Sequence, residues 1–325
     1  MDIKDNEIKI GNLTLQSRLS VAPMAGLTDF AMRTLVREYS KTCLITTEML
    51  SSEALMFRQT GAILETNDLE KPIAFQISGH KPEIMAKAAK ILEPKATIID
   101  INMGCPIHKI VKGNDGSALM NTPELAKDIV VAVKEAVNIP VTCKFRLGWS
   151  QESMNYLEFA QLMQEGGADA ITVHARTRAQ QYSGSADWEK LVLLKGEIDI
   201  PYFANGDIVD FESAIKCLEI TKADGIAIGR GAIGDVTLFS RIEHYLKTGK
   251  ITPAPSLRER IEVLKKHLKL ETELRGELNG IKFIRKFYPF YIKGIKGAPE
   301  LRGKIMTEEN YKTILSILNK IQETE

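Results

Sequence analysis

Cys105 sits in the run Asn102-Met-Gly-Cys-Pro106, just past a short apolar stretch. A glycine before the thiol and a proline after it set a sharp turn, so the sulfur is presented on a rigid loop. Most free cysteines are inert small hydrophobes, and this local frame is what separates Cys105 from them. Cys105-Pro-Ile-His108 lacks the second ligand pair that a metal site needs, and no metal is expected. Lys144 lies inside an apolar run and, by residue alternation, points the same way as Thr142 and Arg146. A lysine in that setting is a Schiff-base nucleophile, a cation facing an anionic cofactor ring, or a side chain snorkelling at a strand end. His174 follows another such run, where a satisfied core histidine is the commoner fate. Asn205-Gly206-Asp207 reads as a tight turn, and Gly229-Arg230-Gly231 opens a helix after the last apolar run. Glycines there let backbone N–H groups approach an anion, which makes the pair a candidate phosphate clamp. The string Gly229 to Gly234 also fits G-x-G-x-x-G, but no strand or acidic residue follows to complete a dinucleotide-binding unit.

These residues need a frame that brings distant segments together. Eight short runs rich in Ile, Val and Thr recur, ending at Met24, Glu48, Ser78, Asn102, Arg146, Ala175, Asn205 and Gly229. They are nearly continuous in apolar character, as strands buried on both faces are. Amphipathic stretches separate them. Pro82 to Leu92 has helical spacing, and Thr122 as N-cap with Pro123 behind it starts a helix to about Val137. Eight strands alternating with eight helices predict an α/β fold, a (β/α)8 TIM barrel, whose reactive residues collect at the C-terminal ends of the strands. Glu-Ile-Lys-Ile-Gly-Asn-Leu-Thr-Leu, ending at Leu15, reads as a hairpin that plugs the barrel floor.

The pattern changes after Thr248. Residues 249–255 read as a Gly/Pro linker, and Ser256 with Glu259 forms a capping box. Leu257, Ile261, Leu264 and Leu268 follow at helical spacing. The expected organisation is a barrel domain over 1–248 and a small C-terminal helical domain over 256–325. From Ser256 onward there are 15 Lys and Arg against 10 Asp and Glu, although the whole chain of 325 residues carries only +1. A basic tail on a near-neutral body points to a polyanionic partner. With 44% hydrophobic and 26% charged residues, the composition excludes disordered and collagen-like classes. No apolar run reaches the roughly 18 residues of a membrane helix, and the N-terminus is charged rather than signal-like. Four cysteines without a C-x-x-C pair fit a reducing cytoplasm.

Taken together the motifs resemble the tRNA-dihydrouridine synthase family, and its bacterial B-type branch in particular. The resemblance rests on Ala22-Pro-Met-Ala-Gly-Leu-Thr-Asp29, Asn102-Met-Gly-Cys-Pro106 with Val111 and Gly113 to Leu119, and Lys144-Phe-Arg-Leu-Gly148. It continues in His174-Ala-Arg-Thr-Arg-Ala-Gln180 with Tyr182, Gly184 and Ala186-Asp-Trp188, then Asn205-Gly-Asp207 and Ile228-Gly-Arg-Gly231. It implies reduction of the C5=C6 bond of specific tRNA uridines in the D-loop to 5,6-dihydrouridine, with FMN as cofactor and NADPH or NADH as reductant. Hydride would pass from flavin N5 to uracil C6. Cys105 would protonate C5, a role that suits a thiol mostly protonated at neutral pH. Pro23, Met24, Ala25, Gln76, Lys144 and His174 would contact the flavin, and Asn205, Gly206, Asp207, Gly229 and Arg230 its phosphate end. A flipped-out uridine would be held by Asn102, Arg176 and Arg178, and Arg285 and Lys286 would contact tRNA beside a core of tail aromatics. A monomer is expected. The tail departs from the family pattern at Phe287 and Phe290, where His and Trp are common, and Met32 replaces a usual Phe. Three other readings are a flavin barrel acting on a free pyrimidine, a Lys144 Schiff-base aldolase, and a non-catalytic RNA-binding protein. The basic tail argues against the first, and Cys105 together with Lys144 against the last.

Overall fold

A computed structural model describes residues 7–57, 64–294 and 297–323. The first six residues of the charged N-terminus, Ile295-Lys296 of the basic tail and the last two residues of the chain lie outside the described residues. Strands β1 (Ile8–Ile10) and β2 (Leu13–Leu15) pair antiparallel around Gly11. Gly11 has a φ of 56°, a conformation glycine adopts without strain. Nine further strands follow: β3 (Leu19–Val21), β4 (Ile45–Thr46), β5 (Leu50–Ser51), β6 (Ile73–Ser78), β7 (Ile98–Asn102), β8 (Val141–Arg146), β9 (Ala170–His174), β10 (Tyr202–Asn205) and β11 (Gly225–Ile228). Their order in the sheet is β3-β11-β10-β9-β8-β7-β6-β4, all parallel. Val21 N–H donates to the Leu44 carbonyl at 2.8 Å and Leu44 N–H to that of Leu19 at 3.0 Å, which brings the two ends of the sheet together. The result is a TIM-type barrel of eight staves.

Two expected strands are shorter than predicted. Only Ile45–Thr46 of the run ending at Glu48 forms a strand, β4, because Thr47 hydroxyl accepts from Gln76 N–H at 3.1 Å and interrupts the ladder; β5 lies beyond that run. The first stave stops at Val21, and Met24 carbonyl instead accepts from Leu27 and Thr28 N–H in a turn. The helix Pro82–Leu92 has the bounds its spacing predicts. Helix Pro123–Ala136 begins at its proline, but Thr122 makes no side-chain cap; its hydroxyl lies toward Leu119 carbonyl instead.

Alternation along the staves sorts the side chains. Outward residues such as Ile99, Ile101, Cys143, Phe145 and Val173 are fully buried under the surrounding helices. Inward residues change character along the barrel axis. At the floor, Ile8, Ile10 and Leu15 of the hairpin close on Leu44, Ala74, Ile98, Ala170 and Phe203. Above this apolar plug the inward positions are Thr46, Gln76, Asp100, Thr142 and Lys144, and at the rim Asn102, Arg146, His174 and Asn205.

Beyond helix Leu238–Thr248, residues 249–255 form no regular element and the chain continues in helices from Leu257. Ser256 and Glu259 form the expected capping box, with Ser256 N–H donating to the Glu259 carboxylate at 2.8 Å. Helix Leu257–Arg275 buries Leu257, Ile261, Leu264, His267, Leu268 and Glu271 at i, i+3, i+4 spacing. Its end is tied to the barrel. Arg275 bonds the Asp29 carboxylate at 2.6 Å and that of Glu271 at 2.7 Å, while His267 Nε2 lies 3.5 Å from Glu271. Burial and mutual repulsion raise the pKa of Asp29, and burial raises that of Glu271. Both carboxylates are almost inaccessible; Arg275 bonds both, and Met32 N–H adds a bond to Asp29 at 3.1 Å. Among the described residues no helix is long and apolar enough to cross a membrane.

Arg275→Met leaves two buried carboxylates without their cation and should cost about 3–5 kcal/mol at neutral pH. Urea denaturation checks this. The deficit should shrink as pH falls and the carboxyl groups protonate, because their pKa values are raised in the folded chain.

Candidate functional site

A pocket of about 430 Å³ opens at the C-terminal ends of the staves. Its walls come from nearly every strand-to-helix connection, which is why residues more than two hundred positions apart meet there. The first connection supplies Pro23, Met24 and Ala25. Thr28 hydroxyl accepts from Met24 N–H at 3.0 Å, and the Glu48 carboxylate accepts from Gly26 N–H, so this loop is tied both to itself and to the second stave. Opposite lie Asn205, Gly206, Asp207, Gly229 and Arg230. Gly206 has a φ of 120°, and a Cβ there would stand 2.8 Å from Ala186 Cβ. A Cβ at Gly231 would stand 2.3 Å from Ile208 carbonyl. Gly231 lets the connection after β11 pack on the one after β10, and Gly206 lets the latter pack on the loop after β9.

The Cys105 loop lies across the mouth. Gly104 permits the approach, since a Cβ at this position would stand 3.2 Å from Phe145 Cα. Asn102 Oδ1 accepts from Cys105 N–H at 3.0 Å, and Cys105 carbonyl accepts from Ser117 N–H at 3.1 Å and from its hydroxyl at 2.9 Å. Arg146 donates to Gly104 carbonyl at 2.8 Å and to Thr177 and Gln181 carbonyls, clamping the cysteine loop to the loop after β9. Cys105 is partly exposed, whereas Cys43, Cys143 and Cys217 are buried. Burial raises the Cys105 pKa, against the pull of Ile107 N–H, Arg146 and Lys144. The thiol is therefore protonated at neutral pH.

Lys144 projects into the same space, where its ammonium donates to Asn205 Oδ1 at 3.0 Å. Burial, with Arg146 adding, pulls it down to about 8. His174 is held well below its ordinary range by burial and by Lys144, Arg146, Arg176 and Arg230, so it is a neutral imidazole. At the outer edge Tyr182 is exposed, with the Arg146 guanidinium 5.6 Å and that of Arg230 5.2 Å from its ring centre. Arg146 and Tyr182 both line the pocket, and neither is given a role in the site by the sequence. The alternation of Thr142, Lys144 and Arg146 carried the signal for the first. Tyr182 sits in an irregular loop and left none beyond its place in a motif.

The arginines after β9 stand elsewhere. Arg176 is almost fully buried and bonds Ser183 and Gly184 carbonyls and the Asp207 carboxylate, at 3.1, 2.6 and 2.7 Å. It props the loop and the Asn205-Gly206-Asp207 turn from behind. Arg178 stacks on Trp149 at 4.5 Å. Asp207, at a φ of 52°, accepts from Arg176 and from Ala186 N–H, and lies 3.8 Å from Arg230. Its part is to aim two cations.

In the tail Phe287, Tyr288 and Tyr291 are buried core. Arg285 is engaged by Glu308 carbonyl at 3.2 Å and Glu309 at 3.6 Å. Lys286 lies over the Phe283 ring, 3.1 Å from its centre, with its ammonium directed toward Gly26 on the pocket rim.

Comparison with known proteins places this architecture among relatives. A family profile described as "Dihydrouridine synthase (Dus)" matches residues 20–324. The chain is 42% identical over 300 residues to the "Probable tRNA-dihydrouridine synthase 1" of Synechocystis sp., covering 92% of this chain and 84% of that protein. It is 39% identical over 307 residues to "tRNA-dihydrouridine synthase B" of Pseudomonas putida, covering 93% and 90%. Among solved structures, a histamine dehydrogenase from Rhizobium sp. 4-9 superposes with a TM-score of 0.60 at 16% identity, over 83% of this chain and 51% of that one. An old yellow enzyme homologue from Zymomonas mobilis superposes at 0.54 with 14% identity, over 76% and 93%. At such identities these two share the fold.

A lysine whose pKa is lower in the folded than in the unfolded chain opposes folding while it is protonated in both. That penalty fades as pH rises from about 8 toward the ~10.4 of an unfolded lysine. The urea midpoint of Lys144→Met relative to the parent should therefore fall as pH rises through this window. A difference independent of pH would mean the ammonium is as well solvated as in water.

Proposed function

The chain belongs to the dihydrouridine synthase family, and on that footing we propose that it reduces the C5=C6 bond of D-loop uridines in tRNA, with FMN bound in the pocket and NADPH or NADH as the electron source. The observation that carries this reading is that a protonated thiol, Cys105, and a pocket-floor lysine, Lys144, face one pocket whose far wall is the glycine turn at Gly206 and Gly229. The volume, about 430 Å³, is within the range of cofactor sites. The residues fit the cofactor: an apolar wall of Pro23, Met24 and Ala25 for the ring, amides at Gln76 and Asn205, and Arg230 with close-packed glycines for a phosphate.

Bound there, FMN would supply the hydride for uracil C6. The residues around it have separable tasks. Cys105 Sγ holds the proton that C5 receives, and its raised pKa keeps that proton in place until it is needed. Solvent at the open mouth returns the proton to the thiolate. Lys144 offers positive charge to the pyrimidine side of the ring, and neutral His174 offers a hydrogen bond without a further charge. Arg230, aimed by Asp207, holds the phosphate. Asn102 sets the cysteine loop and borders the nucleotide's place. Arg176 and Arg178 serve the substrate through the loop that they brace, with Tyr182 as the exposed aromatic face at the rim. The helical domain meets the barrel beside this mouth, and Lys286 at the seam, with Arg285 behind it, supports tRNA contact there.

Dihydrouridine-free tRNA incubated with the protein and NADPH should gain two mass units on uridine, read by nucleoside mass spectrometry, while free uracil is untouched. Cys105→Ala should lower the rate by about 10²–10⁴-fold with FMN content unchanged. No dihydrouridine from an FMN-loaded parent would refute the reading.

A further inference from the structure

Asp100 is a buried carboxylate that the reaction above does not use. It lies on β7, two residues before Asn102 on the same inward face, with Gln76 of β6 and Thr142 of β8 as its register partners. Thr142 hydroxyl donates to one carboxylate oxygen at 2.6 Å, and Gln76 Nε2 donates to the other at 2.6 Å. Gln76 Oε1 accepts from Asn102 Nδ2 at 2.8 Å, and Asn102 Oδ1 accepts from Cys105 N–H at 3.0 Å and Gly104 N–H at 3.3 Å. We propose that Asp100 is a positioning residue for Cys105: its ionised carboxylate, buried under the pocket floor, fixes the direction of a hydrogen-bond chain that runs through Gln76 and Asn102 to the cysteine loop.

The argument rests on what each end of the chain is able to do. A backbone N–H only donates, and an ionised carboxylate only accepts. Between them stand two primary amides, each of which fits its space equally well when turned over. With Cys105 N–H at one end, Asn102 must present its oxygen to the loop and its NH₂ to Gln76. Gln76 must then present its oxygen to Asn102 and its NH₂ onward, and only an acceptor satisfies it. Asp100 is that acceptor, and Thr142 fills its other oxygen. Turning either amide sets two donors or two acceptors face to face in a site where Gln76 is inaccessible to water, which is costly. Burial pushes the Asp100 carboxyl up to about 6, with Thr142, Gln76 and Lys144 pulling the other way. At neutral pH the acceptor form prevails.

The test exploits direction rather than charge. In Asp100→Asn the terminal group both donates and accepts, so this end no longer imposes one sense on the chain. Amide hydrogen exchange at Gly104 and Cys105, measured on the protein without RNA, should quicken about three- to tenfold. Adding Gln76→Glu to that variant puts an acceptor-only carboxylate between the introduced amide at position 100 and the amide of Asn102, which restores Asn102 to its original orientation. Exchange should return toward the parent rate, and so should alkylation of Cys105 by iodoacetamide, the other described cysteines being buried. Unchanged exchange in Asp100→Asn overturns the proposal. So does faster exchange that Gln76→Glu does not reverse, since that marks general loosening of the floor. The exchange result stands or falls independently of which substrate the enzyme reduces.

Discussion

Closure of the parallel sheet is the constraint on which the remainder depends. Leu44 exchanges hydrogen bonds with Leu19 and Val21, and this small contact turns an open sheet into a cylinder with an inside. Once closed, alternation leaves no freedom: every second residue of each stave must live in the interior. A barrel filled with Val and Ile throughout would be more stable and would have no chemistry. Here the lower half is apolar and stoppered by Ile10, while the upper half carries carboxylate, amides, ammonium and imidazole. Burial is tolerable where such groups are bonded to other staves, as Lys144 is to Asn205 two staves away and Asp100 is to Gln76 and Thr142 on either side.

The electrostatics of the mouth follow from that crowding. Lys144, Arg146, Arg176 and Arg230 converge on one wall, with Asp207 as the nearby counter-charge on that side. Burial, with the excess positive field adding, keeps His174 neutral, and the field favours an anion between the cations. The same field draws on Cys105 without ionising it, because burial of the thiol is the larger influence.

Much of this was legible from residue order. Eight buried strands predict the barrel, the Gly-Cys-Pro turn predicts a presented thiol, and the Ser256–Glu259 box marks where the tail helices begin. What stayed hidden depends on contacts between segments. Arg176, expected to hold the nucleotide, is buried and bonded to its own loop and to Asp207, which its place in the motif does not announce. Thr122 has the identity of a cap but not the backbone angles for one. Asp100 is inconspicuous in an apolar run, since only the pairing of three staves reveals what it faces. The domain joint at Asp29, Glu271 and Arg275 joins residues some 240 positions apart, a distance across which no local pattern speaks.

The hairpin at the floor has one more consequence. With the bottom of the cylinder sealed by Ile8, Ile10 and Leu15, the described residues form a vessel open at one end. Any molecule that needs the polar upper half of the barrel has to come and go through that one opening, so two molecules that need the same inner surface would exclude each other there and visit in turn.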